Sequence, residues 1–288
     1  MKKRCNIFFL SLILIAISGT LLSFIKKKND WTLIKTIPAP GIDKVSIDRY
    51  YNFYISDKHG NILKYDSLGN EILRYSPQRK AHVTLLEAWR TVNVFVFYRE
   101  LQEYNLLDRF LTSSTPNFKI KSEIGNESPI GFARIASVAP DNNLWVFDDY
   151  DFSLKKYDTR LNRVLFNTSL DLILDPQFYD LNYMREYQNL LFINDRNSGI
   201  LIFDNLGNYK KTLPFKGVEY FNFLGNSLYF VNDSSLVLLD IYSGVEKIIA
   251  LPTTDQTYQY ALMSPGAVFL FSQNRVDLFK LTLPEEKK

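Results

Sequence analysis

The chain has 288 residues, 46% of them hydrophobic and 15% aromatic, which is ample material for a large β-rich core. The formal net charge of +3 comes from one end: residues 1–28 hold six basic residues and no acid, leaving 28 bases against 31 acids, so no basic face for nucleic acid is indicated. The single cysteine, Cys5, precedes the folded region and excludes a disulfide within it.

In chain order, MKKRC leads into a stretch without charge that starts at Asn6 and stops at Ile25, followed by Lys26, Lys27 and Lys28. As a helix it would span about 30 Å, the thickness of a bilayer core. Two readings stand. The first 28 residues are a signal anchor stopped by the three lysines, or a signal peptide cleaved after Ala16 and Ser18, before Gly19. Cys5 lies ahead of the apolar stretch, which argues against a lipoprotein. Lysines on both flanks weaken the orientation rule. Either reading exports residues 29–288, as a membrane-anchored periplasmic domain or as a protein released to the periplasm.

Beyond it a sentence repeats. VSIDRYYNFYISDKHGNILKYDSLG (45–69) returns as DNNLWVFDDYDFSLKKYDTRLN (141–162), NLLFINDRNSGILIFDNLGN (189–208) and NSLYFVNDSSLVLLDIYSG (226–244). Each copy has a β-rich run, an Asp, a polar gap, a second β-rich run and a second Asp before a turn. Self-similarity near forty residues marks one supersecondary unit used several times. The unit is read as four strands, in the fifth repeat 218–223, 227–232, 236–241 and 246–251, separated by turn residues. The second aspartates, Asp66, Asp158, Asp204 and Asp240, are spaced by 92, 46 and 36 residues, so a degenerate unit must lie in the first gap. Its strands are 83–90, 93–98 and 103–110, with Tyr104-Asn105 replacing Tyr-Asp. A last unit, 258–263, 267–272 and 275–281, lacks an outer strand, and WTLIKTI at 31–37 is left over to supply it. The expected fold is therefore all-β: six four-stranded blades of about 43 residues, closed by an N-terminal strand in the last blade and preceded by one apolar N-terminal helix. A linear solenoid is the competing arrangement, but it would need polar caps.

These segments, above all YISDKHGNILKYDSLG, WVFDDYDFSLKKYD, FINDRNSGILIFDNLG and YFVNDSSLVLLD, resemble the NHL-repeat class of six-bladed β-propellers of bacterial envelope type. The resemblance covers residues 31–284 and identifies a blade rather than a chemistry. It implies a binding scaffold. Some relatives in the class are lactonases, dehydrogenases or lyases, and the calcium-dependent lactonases place a Glu, two Asn and an Asp around the central channel.

The second-strand aspartates Asp57, Asp148, Asp195 and Asp233, and the third-strand set, are expected to accept backbone N–H groups in their own turns. His59 and His82 are expected to be solvated, since neither has a metal-ligand neighbour in sequence. No nucleophile elbow, P-loop or dinucleotide fingerprint occurs. The mouth of the central channel is the best place for a site, and Glu87, Arg134, Arg185 and Glu219 of the innermost strands are its candidates. Trp89, Trp145 and Tyr50 to Tyr54 offer sugar-stacking rings or, more simply, packing between blades. Tyr179 and Tyr183 are expected at a surface, and 111–128 as a recognition loop. The resulting expectation is a non-catalytic interaction module of the cell envelope that presents loops to a protein partner. The alternatives are a hydrolase or lyase using a divalent cation such as calcium at the channel, and a glycan-binding domain. No cofactor is required and oligomeric state is not encoded.

Overall fold

The computed structural model describes residues 30–90, 92–113, 117–120 and 128–282. The expected apolar helix over 6–25 lies outside them, and among the described residues no helix is long and apolar enough to cross a membrane. They form six four-stranded antiparallel sheets with one short 3-10 turn at Arg99–Leu101. In blade 1 the strands, lettered A to D from the inside outward, are Lys44–Ile47, Phe53–Ser56, Ile62–Tyr65 and Glu71–Tyr75. The A strands of blades 2 to 6 are Leu85–Glu87, Ala133–Val138, Leu181–Tyr187, Phe221–Leu224 and Tyr260–Ser264. Blade 6 is completed from the other end of the chain: Asp30–Pro38 pairs with Arg275–Thr282 as its D strand. The ring closes as the leftover WTLIKTI segment required, and the third strand of blade 6 is not left as an open edge.

A meander of antiparallel strands puts the A–B and C–D hairpins of each blade at one end of the ring. The B–C hairpins and the interblade connections lie at the other. Apolar side chains hold the blades together. One cluster of buried residues runs from Val45 in blade 1 through Phe95, Phe147, Phe192 and Phe221 to Phe269 in blade 6. Across the closure Phe53 packs on Phe269, with ring centroids 4.7 Å apart.

The turns explain the repeated aspartates. Asp66 accepts N–H bonds from Leu68 and Asn70, and Asp204 does the same from Leu206 and Asn208. Asp57, Asp148, Asp195, Asp158 and Asp240 also accept N–H groups in their turns. Asp233 acts differently, adopting φ 50 within its turn. In the degenerate blade the third-strand aspartate is Asp108, not a Tyr104-Asn105 substitute. Asp108 bonds Phe110 and Thr112 as Asp66 bonds Leu68 and Asn70. Leu111, at φ 58, occupies the left-handed position that Gly69 fills in blade 1. The D strand of blade 2, Phe118–Lys119, lies inside the stretch expected to be a free loop and is only two residues long.

Candidate functional site

The A strands surround a central channel. At its A–B end a cavity of about 470 Å³ is lined by residues of all six blades, among them Arg49, Trp89, Pro140, Arg185, Asn222 and Met263. Two of the four sequence candidates meet electrostatically here. Glu87 and Arg185 are 1% and 6% exposed. Arg185 donates through Nη1 to Asn222 Oδ1, and its guanidinium carbon lies 5.3–5.6 Å from the ring centroids of Trp89, Tyr187 and Phe223. Glu87 Oε2 accepts from the Ser137 hydroxyl at 2.9 Å. Glu87 Oε1, Trp89 Nε1 and Arg185 Nε are buried without a hydrogen-bond partner. Burial is the largest influence on Glu87 and outweighs Arg185, the Ser137 hydroxyl and the Val138 N–H, so its carboxyl is pushed up to about 7. Tyr220, buried by the same channel, is raised to about 12.

The other two candidates lie at the opposite end, where each A strand begins, and in separate ion pairs. Arg134 contacts Asp149 at 3.1 Å and lies over the Tyr179 ring at 4.7 Å. Glu219 is held by Arg196, which also reaches Asp180. Sequence position could not separate the two pairs, because all four residues lie in or beside A strands and differ in which end of the channel they face.

That opposite end carries four exposed apolar side chains. Phe132, Tyr150, Leu172 and Phe178, in the loops flanking blade 3 and leading into blade 4, are between 41% and 100% exposed. The loops beneath them are bonded to one another. Asp148 accepts from the N–H groups of Gly131, Phe132 and Tyr150 and pairs with Lys155 at 2.7 Å. Asp149 N donates to Phe132 O, and Leu170 N donates to Phe152 O. The Tyr179 hydroxyl donates to Asp149 at 2.6 Å, and its ring packs edge-on against Phe147 and Phe152. Burial first, then the Asp149 carboxylate, raises the Tyr179 phenol to about 12, so it remains a donor.

Several expectations are corrected. Tyr183 is not at a surface: it is 4% exposed and packs against Tyr220 and Phe221. His82 is not merely solvated, since its Nε2 lies 2.8 Å from Asp43. Trp145 is fully buried and donates to Glu186 at 2.6 Å, so its ring serves packing rather than sugar stacking. His59 is exposed in its turn, as expected. Among the described residues no group of three or more His, Cys, Asp or Glu is placed to hold a metal ion.

No family model matches the chain, and no curated protein is similar to it in sequence. In fold it is similar to many solved structures. A streptogramin B lyase superposes with a TM-score of 0.60 at 10% identity, covering 88% of this chain and 97% of that one. BamB from Moraxella catarrhalis gives 0.52 at 10% identity, over 87% and 100% of the two chains. YCF48 bound to D1 peptide gives 0.54 at 11% identity, over 89% and 98%. Identities this low establish the shared propeller fold and nothing finer.

Proposed function

We propose that this chain is a non-catalytic interaction module of the cell envelope, an NHL-like propeller tethered by residues 6–25, that binds a protein partner through the B–C end of blades 3 and 4. The observation that carries this reading is the exposure of Phe132, Tyr150, Leu172 and Phe178 at one end of neighbouring blades. Large apolar side chains gathered on one face of a soluble domain mark interaction surfaces. Their loops are already ordered by the Asp148 and Asp149 bonds, so association immobilises little that was free. Among proteins of similar fold, YCF48 is described as bound to a peptide, which is compatible with this use of the scaffold.

The test compares tagged full-length chain with a Leu172→Ser/Phe178→Ser variant in a detergent pull-down from native membranes. A stoichiometric partner retained by the wild type, and reduced at least tenfold by the double variant, is the expected result. Equal recovery with both would remove these side chains as the contact. The second reading, a small-molecule site at the channel mouth, is favoured by the six-blade cavity and by the unpartnered Glu87 and Arg185 atoms. Under it the divalent-cation hydrolase or lyase remains the competing activity. The glycan reading gains less, because the exposed Tyr50, Tyr150 and Tyr242 belong to different blades.

A further inference from the structure

The two ends of the ring differ in how the chain reaches them. In blades 1 and 4 a bulge interrupts C–D pairing and one residue pair follows before the turn. In blade 6 four pairs follow the corresponding bulge, ending with Asp30 opposite Thr282. The closing strand therefore projects beyond the usual turn position, and the polypeptide joins the propeller at the A–B/C–D end. Lys35, further along this strand, bonds the carbonyls of Leu68 and Gly69, tying the closing strand directly to the C–D turn of blade 1. Ile25, the last residue of the apolar stretch, is five residues before Asp30. Fully extended, those residues reach about 17 Å.

The same end carries a repeated chemical feature. Leu68, Phe110, Leu161, Leu206 and Tyr242 occupy the tips of the C–D turns of blades 1 to 5, each 51–67% exposed. Every one of the five donates its backbone N–H to the aspartate that opens its turn. That bond fixes the backbone at the tip. The turn aspartates and neighbouring Arg109 and Arg160 place charges of both signs around the tips, which suits a shallow, zwitterionic boundary rather than burial in hydrocarbon. Tyr50 and Val92 in the A–B turns of blades 1 and 2 add two further exposed side chains at this end.

We infer that, in the anchored protein, the A–B/C–D end of the propeller rests against the lipid surface with its five C–D turn tips at the headgroup boundary. The B–C end, with the exposed apolar side chains of blades 3 and 4, then faces away from the membrane. This inference rests on reading residues 6–25 as an uncleaved anchor, and it goes further by fixing which face of the ring each surroundings meets. A short tether joined to the A–B/C–D end limits how far that end can stand from the bilayer, and the apolar tips give it a reason to stay.

The test uses full-length protein with Cys5→Ser, carrying either Leu206→Cys or Phe178→Cys labelled with an environment-sensitive fluorophore. Each is reconstituted into protein-free phosphatidylcholine vesicles, some containing a lipid with a nitroxide near its headgroup. Labelled Leu206→Cys is expected to be quenched at least threefold more strongly by the nitroxide lipid than labelled Phe178→Cys, with the reverse order for aqueous iodide. An alkaline wash separates the two ways to fail. Loss of the protein from the vesicles would overturn the anchor reading and the inference together. Retention with Leu206→Cys as open to iodide as Phe178→Cys would overturn the orientation alone. Retention with Leu206→Cys shielded only in native membranes would assign this end to a protein neighbour and overturn the lipid contact.

Discussion

Glu87 is a carboxyl held far from its ordinary chemistry in water. It is buried beside a channel, one oxygen bonded to Ser137 and the other without a partner, and Arg185 and Arg90 offset only part of the cost of its charge. Ser137, Tyr183 and Tyr220 from blades 3, 4 and 5 complete its surroundings. Because its folded pKa of about 7 lies above the ordinary 4.5, the folded state keeps this proton after the unfolded chain has released it. Its contribution is therefore greatest below pH 4.5, is lost between 4.5 and 7, and stays constant above. That shift corresponds to about 3 kcal/mol. Glu87→Gln is expected to gain about that much on the wild type between pH 4.5 and pH 8, measured as urea unfolding free energy of both proteins across the range. Parallel curves would show that Glu87 titrates normally. Asp204, depressed to about 2, has the opposite sign: the bonds from Asn208, Leu206 and Lys210 outweigh the effect of burial, and its contribution is lost on acidification. Comparing Glu87→Gln with the wild type cancels such terms.

At the scale of elements, the closing strand decides whether the ring is whole. Asp30–Pro38 makes eight residue pairs with Arg275–Thr282, and Trp31 adds an indole bond to Ala250 O of blade 5. Without it the C strand of blade 6 would expose a continuous row of N–H and C=O groups, an edge available to other chains. Deleting residues 30–38 is expected to shift the protein from a discrete species to aggregates on size exclusion, with a synthetic 30–38 peptide restoring part of the discrete peak. An unchanged profile would mean that closure is dispensable. The outer element of blade 2 shows where the repeat pattern lost its hold. Phe118–Lys119 is exposed and polar on one side, so it lacks the alternation that marked other strands. Asp108 was hidden for a related reason: Leu111 takes a left-handed conformation usually signalled by glycine.

For the molecule as a whole, cohesion comes from apolar contacts that pass from blade to blade without interruption. The largest buried cluster includes side chains of all six blades, and Phe53 joins the first blade to the last. A ring so connected should unfold as one unit despite its repeats, unlike an open solenoid in which each repeat contacts only its neighbours. Urea transitions followed by tryptophan fluorescence and by far-ultraviolet circular dichroism are expected to coincide within experimental error. Separate transitions would indicate that blades open independently. Closure also gives the ring two distinct ends, and it is this division that sets Phe132, Tyr150, Leu172 and Phe178 apart from the C–D turn tips.

Blade number and the role of the aspartate turns could be read from residues alone because each is a local pattern repeated along the chain, and the closing strand because counting those repeats left one segment over. Strand alternation and turn chemistry act over a few residues, and repetition averages out exceptions such as Asp233. The grouping of candidates could not be read this way. Glu87 interacts electrostatically with Arg185 while Arg134 and Glu219 pair elsewhere; His82 meets Asp43, and Tyr183 turns inward. These outcomes depend on how far each strand advances around a twisted ring and on which end each side chain reaches. Only the tertiary structure brings together residues that are dozens of positions apart, and so it alone decided the sites and the two faces.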